Sequence, residues 1–206
     1  MDTAFLATAF ATLFVVIDPI GLTPLFLSLT QGMSTPERRA IGFCACVIAF
    51  GILALFGLFG EAVLGFIGIQ MLSFQIAGGI LLFMTALDML FERRTKRREE
   101  HAEERPDPSI FPLGMPLIAG PGAIATMILL TGAQPGVAGY FQVLAVMASV
   151  LLIVFILFLL ANPIEHALGR TGTNIVTRLL GMLLAALAVQ FVMDGLIAFG
   201  FAGGGR

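Results

Sequence analysis

This chain has few charged residues and no tryptophan. Only 12% of its 206 residues are charged, there is no tryptophan, and tyrosine occurs once. A soluble domain of this length needs more charged and polar residues to cover its surface. With 58% hydrophobic residues, the composition instead indicates a polytopic membrane protein. Any aromatic belt at the membrane interface would have to be built from phenylalanine, a weaker anchor than tryptophan or tyrosine.

Reactive and metal-binding motifs are also missing. Cys44 and Cys46 lie two residues apart in a predicted helix, so their side chains are about 200° apart around its axis and cannot jointly hold a metal or pair with each other. The chain has no nucleophile elbow, His-Glu-x-x-His motif, Cys/His cluster or P-loop. We therefore expect no enzyme activity, no metal, no cofactor and no nucleotide-driven pump.

Six apolar stretches are long enough to cross a bilayer as helices. They span approximately residues 5–30, 39–60, 69–91, 110–131, 140–161 and 175–200. The first stretch has no basic residues before it and is too long for a cleaved signal, so we interpret it as a membrane span. Thr35 is the predicted N-cap of span two, and residues 61–68 are a predicted turn.

The longest polar stretch, residues 92–109, has mixed charges that cannot be buried and is predicted to be a solvated cytoplasmic linker. It separates a first three-helix repeat, residues 1–91, from a second, residues 110–200, and residues 201–206 form a flexible tail. With six spans, ten of the eleven basic residues fall on one side of the membrane. The positive-inside rule makes this side cytoplasmic and leaves both termini outside.

The two halves are weakly similar in sequence. A gapless shift of 102 residues aligns Pro19 with Pro121, Asp18 with Gly120, Gly79 with Gly181, Leu81-Leu82 with Leu183-Leu184, Ala86 with Ala188 and Asp88 with Gln190. Because each half has three spans, the second half enters the membrane from the opposite side. We therefore predict an all-α membrane protein with six transmembrane helices in two inverted-topology repeats.

Two of the six spans are interrupted near their middle, span one at Asp18-Pro19-Ile20-Gly21 and span four at Gly120-Pro121-Gly122. A proline removes a backbone donor and biases the preceding residue away from helical dihedrals, so each span is predicted to consist of two half-helices. In span one, Asp18 would be the N-cap of the second half-helix and Pro19 its first residue. One broken span in each half is a sequence pointer to a transporter's binding site.

The two breaks differ in charge. The N-terminus of a half-helix presents unpaired N–H groups and the positive end of the helix dipole. No acidic residue lies near Gly120-Pro121-Gly122, so this break could bind a carboxylate. Asp18 could instead bind an ammonium group. Its alternative role, compatible with the first, is that of an N-cap that only accepts a hydrogen bond from a free N–H group of its own half-helix. The pair suits a zwitterion, and the glycines leave room for a small one.

The candidate substrate-binding residues lie at the breaks, in the turns that follow them, or, for two glutamines, in spans three and six. They are Asp18, Pro19, Gly21, Thr23, Gly120, Pro121, Gly122, Thr126, Gln75 and Gln190. The glutamines either face the same cavity or form hydrogen bonds between helices, and the sequence leaves both interpretations open.

Several motifs resemble those of the MarC family of bacterial membrane proteins. They are Asp-Pro-Ile-Gly-x-x-Pro-Leu-Phe (18–26), Ile-Ala-Gly-Gly-Ile-Leu-Leu-Phe (76–83), Pro-Leu-Ile-Ala-Gly-Pro-Gly-Ala-Ile (116–124) and Leu-Leu-Ala-Ala-Leu-Ala-Val-Gln-Phe-Val-Met-Asp-Gly-Leu (183–196). The resemblance covers all six spans. It implies kinship with the LysE-like exporters and with SnatA-like transporters of small neutral amino acids. Many relatives carry Asn in place of Leu22 and Ser or Thr in place of Ala125, so specificity would differ if these positions contact the substrate.

From these observations we expect a secondary transporter in the bacterial inner membrane that exports or exchanges small neutral amino acids or similar small zwitterions. Membrane lipids are expected partners and nucleic acids are not. Coupling to H+ or Na+ and assembly into a homo-oligomer are left open. The alternatives are an oligomeric channel whose pore is lined by the two breaks, and a flippase for lipids or small metabolites.

Overall fold

The computed structural model describes residues 3–91 and 109–200, and within these ranges it contains helices and no strands. The helices are α1 (Thr3–Ile17), α2 (Pro19–Leu29), α3 (Thr35–Ile67), α4 (Met71–Leu90), α5 (Ser109–Ile118, a π-helix), α6 (Pro121–Ala133), α7 (Val137–Leu159) and α8 (Ala161–Ala198), which is kinked at Gly169 where the backbone is not helical. The linker predicted at residues 92–109 lies outside the described residues except for its last one, and the tail predicted at 201–206 lies wholly outside them.

The helices agree with the prediction of an all-α, multi-pass membrane protein. Five apolar stretches are long enough to span a membrane: Thr3–Leu29, Thr35–Ile67, Met71–Leu90, Val137–Leu159 and Thr171–Ala198. The predicted fourth span corresponds to α5 and the shorter apolar helix α6, which meet at a break. The first span is broken too, since α1 and α2 are separated by Asp18 alone.

Both ends of α3 differ from the prediction. The N-cap is Ser34, and not Thr35, because the Glu37 carboxylate accepts hydrogen bonds from the Ser34 N–H (2.8 Å) and hydroxyl (2.7 Å) and so fixes the start of the helix. The turn predicted at residues 61–68 is also wrong, since α3 continues to Ile67. The helix ends at Gly68, whose positive φ of 82° forms the cap. Gly60, in the last turns of α3, packs directly on the side chain of Ile128 in α6, and this contact outweighs the local preference for a turn.

The helices form three layers. The broken spans, α1–α2 and α5–α6, lie between the pair α3 and α7 on one side and the pair α4 and α8 on the other. The side chains in the middle are fully buried, among them Leu13, Ile17, Leu53, Ile118 and Met147. In contrast, the outward faces of α4 and α8 are largely exposed apolar residues such as Ile80 and Leu183, as expected for surfaces that face lipid.

Helices α4 and α8 contact each other twice in the same way. A Cβ atom added to Gly79 would lie 2.8 Å from the carbonyl oxygen of Ala188, and one added to Gly181 would lie 3.3 Å from that of Ala86. The 102-residue shift converts the first contact into the second. The helices run antiparallel, because Gly195 near the end of α8 packs on Ile76 near the start of α4. Equivalent antiparallel helices are related by an axis in the membrane plane, as in an inverted-topology repeat.

This contact predicts a strong effect of one methyl group. In Gly79→Ala the new methyl would lie 2.7 Å from Val192 Cγ2 and 2.8 Å from the Ala188 carbonyl oxygen, so α4 and α8 must separate. We expect the free energy of unfolding to fall by about 1–3 kcal/mol, measured as a lower melting temperature of the protein in detergent. Gly51→Ala is the control, since a Cβ there meets no atom within 4 Å. Equal melting temperatures for the two variants would contradict the packing of α4 on α8.

Candidate functional site

The first break is formed by Asp18. Its backbone is left-handed, with φ 55° and ψ 65°, and it is the only non-glycine residue with a positive φ in the two described ranges. Pro19 disfavours the right-handed helical region for the residue before it, and aspartate tolerates the left-handed region better than most residues. The Asp18 side chain is 1% exposed, and its Oδ1 accepts a hydrogen bond of 3.0 Å from the Gly21 N–H. The predicted N-cap and the first helical position of Pro19 are both present.

The second break lies between α5 and α6. The π-helix α5 closes with the Ala119 N–H donating to the Gly114 carbonyl at 3.1 Å. Gly120 is then the N-cap of α6, with extended backbone (φ −79°, ψ 168°), and Pro121 begins the helix. No side chain caps α6 and its first turn contains no acidic residue. The two breaks therefore differ as the sequence predicts, one with its own carboxylate and the other with N–H groups that no side chain caps.

The two breaks are next to each other. A Cβ atom added to Gly122, in the first turn of α6, would lie 3.4 Å from Val16 Cγ1 in the last turn of α1. The same atom would lie 3.2 Å from Leu82 Cδ2 and 3.6 Å from the Thr85 hydroxyl of α4. The end of one half-helix thus contacts the start of another, and α4 closes the contact from the side.

Gly21 leaves space for the Asp18 carboxylate beside α8. A Cβ atom at Gly21 would collide with the Asp18 carboxylate, and it would lie 2.9 Å from the hydroxyl of Thr177. Glycine is therefore required at residue 21 because the carboxylate itself occupies the space of a side chain. This arrangement brings a carboxylate and a hydroxyl from a different span to the same place.

Two buried hydroxyl groups lack hydrogen-bond partners among the described residues, those of Thr126 and Thr177. Buried hydroxyls are normally paired, so each is a candidate to bind a ligand. Thr126 is 0% exposed and was a predicted site residue. In contrast, Thr23, also predicted, donates to the Pro19 carbonyl oxygen at 3.0 Å within α2.

Thr177 and Thr85 were not predicted as site residues. The 102-residue shift aligns Thr177 with Gln75, and this correspondence was the available signal. Thr85 lies beside Gly122 and donates to the Leu81 carbonyl oxygen at 3.0 Å. Its place in the apolar span three gave no sign of which helix face it occupies.

The two predicted glutamines are not brought to the breaks. Gln75 lies ten residues before Thr85 on α4, or roughly 15 Å along the helix. Gln190 lies thirteen residues after Thr177 on α8, or roughly 20 Å along it. The Gln190 side chain is exposed, and its Nε2 donates to Asp194 Oδ1 at 2.6 Å along the same helix. Of the other predicted residues, Pro19, Gly120 and Gly122 are buried and Pro121 is exposed.

The capping geometry predicts opposite results for two substitutions of Asp18. Asp18→Asn keeps the acceptor for the Gly21 N–H, and asparagine also tolerates left-handed backbone, so the melting temperature in detergent should stay near that of the wild type. Asp18→Ala loses the cap and strains the backbone, and should lower the free energy of unfolding by about 1–3 kcal/mol. An alanine variant as stable as the asparagine variant would show that the cap contributes nothing.

Comparison with known proteins assigns the family. Residues 3–199 match a family model described as MarC family integral membrane protein. The UPF0056 membrane protein YvbG of Bacillus subtilis is 37% identical over 202 residues, which cover 95% of this chain and 96% of that protein. A UPF0056 membrane protein of Archaeoglobus fulgidus is 40% identical over 197 residues, which cover 94% of this chain and 92% of that protein. No solved structure matches the chain. The chain belongs to the MarC family of integral membrane proteins.

Proposed function

We propose that this protein is a secondary transporter that exports or exchanges small neutral amino acids or similar small zwitterions. The observation that carries the proposal is the contact between the two breaks, through Val16 of α1 and Gly122 of α6. It brings a half-helix N-terminus that carries its own carboxylate close to one that carries none. Discontinuous helices with this arrangement are typical of substrate sites in secondary transporters.

The charges of the two breaks define the chemistry of the substrate. In the proposed complex, the ammonium group binds the Asp18 carboxylate and the Thr177 hydroxyl. The substrate carboxylate binds the N–H groups at the start of α6, where the helix dipole also favours a negative charge. The Thr126 hydroxyl, which has no partner among the described residues, lies one turn further along α6 and would bind a polar substrate atom.

The size of the substrate follows from the packing around Gly122. A single methyl group there would already touch Leu82 and Val16, and this close packing favours a substrate with a small side chain. Alanine, glycine and serine meet this condition. Larger amino acids would have to displace α4 from α6.

The buried carboxylate supports a binding role beyond capping. Ionisable groups inside membrane spans are costly, and they usually mark substrate or ion pathways. A cap needs one acceptor oxygen, which Oδ1 supplies to Gly21, and an asparagine would supply it without a charge. Because a carboxylate buried in a membrane span is costly and usually functional, we propose that the charge of Asp18 serves the substrate.

We further propose that the protein lies in the inner membrane with both termini outside the cytoplasm, because of the distribution of its basic residues. Cysteine labelling tests the orientation in a variant without Cys44 and Cys46. Gly65→Cys and Ala133→Cys, both at exposed positions, should react in intact cells with a membrane-impermeant thiol reagent, whereas Gln31→Cys should react only after lysis. Labelling of Gln31→Cys in intact cells would reverse the orientation.

The binding site is tested by two substitutions with different mechanisms. Asp18→Asn removes the charge that receives the ammonium, and since a charge-assisted hydrogen bond contributes about 1.5–3 kcal/mol, binding should weaken roughly 10- to 150-fold. Gly120→Leu is compatible with the extended backbone of Gly120, and its side chain should block the start of α6 and abolish binding. The measurement is binding of labelled alanine to purified, monodisperse protein whose melting temperature matches the wild type.

Wild-type affinity for alanine in both folded variants would overturn the proposed site. Loss of binding in Gly120→Leu alone would leave Asp18 as a structural cap.

A transporter must also be separated from the alternative of a channel or flippase. In proteoliposomes, a carrier exchanges labelled alanine for unlabelled alanine without a net gradient and with saturable kinetics, whereas a channel conducts without saturable exchange. Saturable exchange that is lost in Gly120→Leu would support the carrier.

A further inference from the structure

A pocket separate from the candidate site lies where α2 ends, α3 begins and α7 ends. Its floor is formed by Phe26 of α2 and Phe158 of α7, whose rings are stacked with their centroids 4.2 Å apart and their planes 6° apart. A Cβ atom added to Gly42 of α3 would lie 3.3 Å from the Phe158 ring, so α3 packs directly on this floor. The pocket has a cavity volume of about 60 Å³ and is open at its mouth. None of its lining residues belongs to the candidate site at the breaks.

The rim of this pocket is basic. Arg38 is held across it, donating from Nε to the Thr30 carbonyl oxygen (3.1 Å) and from Nη1 to Asn162 Oδ1 (3.4 Å). A guanidinium group has five N–H donors, so Arg38 keeps donors for a ligand. Arg39 is exposed and also lines the pocket.

No carboxylate among the described side chains forms an ion pair with either arginine. The nearest acidic residue in sequence, Glu37, does not line the pocket, and its carboxylate is bonded to the Ser34 N–H and hydroxyl. The N-terminus of α3 adds the positive end of a helix dipole to the same rim. The pocket is therefore built to bind an anion.

An apolar path leads from the basic rim towards the lipid-facing surface. Phe155 and Leu159 of α7 line the pocket. The Phe155 ring makes an edge contact with Phe43 of α3, with centroids 5.9 Å apart, and Phe43 is 60% exposed. Phe43 follows Arg39 by four residues and therefore lies on the same face of α3. The two arginines at the rim are thus continuous with the exposed aromatic surface formed by Phe155 and Phe43.

We infer that this pocket binds an anionic phospholipid, with the phosphate between Arg38 and Arg39 and an acyl chain along Phe155 and Phe43. Arginine matches phosphate oxygens with paired hydrogen bonds, and basic pockets between membrane spans bind anionic lipid headgroups. A free phosphate ion would use the two arginines but not the apolar track. The assignment rests on the pocket alone and does not depend on the transport proposal.

The test is lipid binding to purified protein in a nonionic detergent, followed by native mass spectrometry and by the rise in melting temperature. The three probes are phosphatidylglycerol, phosphatidylcholine with the same acyl chains, and inorganic phosphate. Arg39→Gln should weaken phosphatidylglycerol binding by roughly 10-fold or more, since it loses a charge-assisted hydrogen bond. It should fold normally, because the Arg39 side chain has no hydrogen-bond partner within the described part of the chain.

Two control variants make the result specific. Arg178→Gln makes the same charge change at an exposed arginine outside the pocket and should leave the lipid affinity unchanged. Arg39→Lys keeps the charge without the paired donors and should bind phosphatidylglycerol with intermediate affinity. Equal binding of phosphatidylglycerol and phosphatidylcholine, or equal losses in Arg39→Gln and Arg178→Gln, would overturn the inference. Stabilisation by inorganic phosphate as large as that by phosphatidylglycerol would overturn it in favour of an ion site.

Discussion

Backbone groups that a helix break leaves unpaired cannot face lipid, and the arrangement of the helices follows from this constraint. Both broken spans lie in the middle layer, and Ile17, Asp18, Ala119 and Gly120, where the first half-helices end and the second begin, are buried. The unbroken α3, α4 and α7, and the membrane-spanning part of α8, satisfy their own backbone and can line the outside. The two proline breaks therefore fix which helices are central and which are peripheral.

The 102-residue shift places the two breaks at equivalent positions of the chain, but the residues at these positions differ in charge. Helices α4 and α8 meet through reciprocal contacts of Gly79 and Gly181, and small residues are what permits close packing where no hydrophobic driving force acts between helices. At equivalent positions of the middle layer, however, one half has Asp18 and the other Gly120. In the proposed transporter, this difference between the two breaks suits a ligand with two opposite charges.

The breaks were predictable from the sequence because proline and capping chemistry act over a few residues, and Asp18 and Pro19 have the predicted roles. Three features were not. The length of α3 depends on the contact of Gly60 with Ile128, which is distant in sequence. The π-helical form of α5 leaves the same apolar pattern as an α-helix. Thr177, and not Gln75 or Gln190, lies beside Asp18 because of how α8 crosses α2. The periodicity of residues along one helix does not encode this crossing.

Helix α2 connects the candidate substrate site with the proposed lipid pocket. It begins next to Asp18, it carries Phe26 in the pocket floor, and the carbonyl of Thr30 just after it accepts the hydrogen bond from Arg38. This helix of 11 residues extends over about 16 Å, and Pro24 lies inside it between the two sites. A displacement of its N-terminus that opened the first break would therefore either shift Phe26 against Phe158 or bend the helix at Pro24. A phospholipid that holds this end of α2 in place would bias the position of the Asp18 carboxylate without touching it.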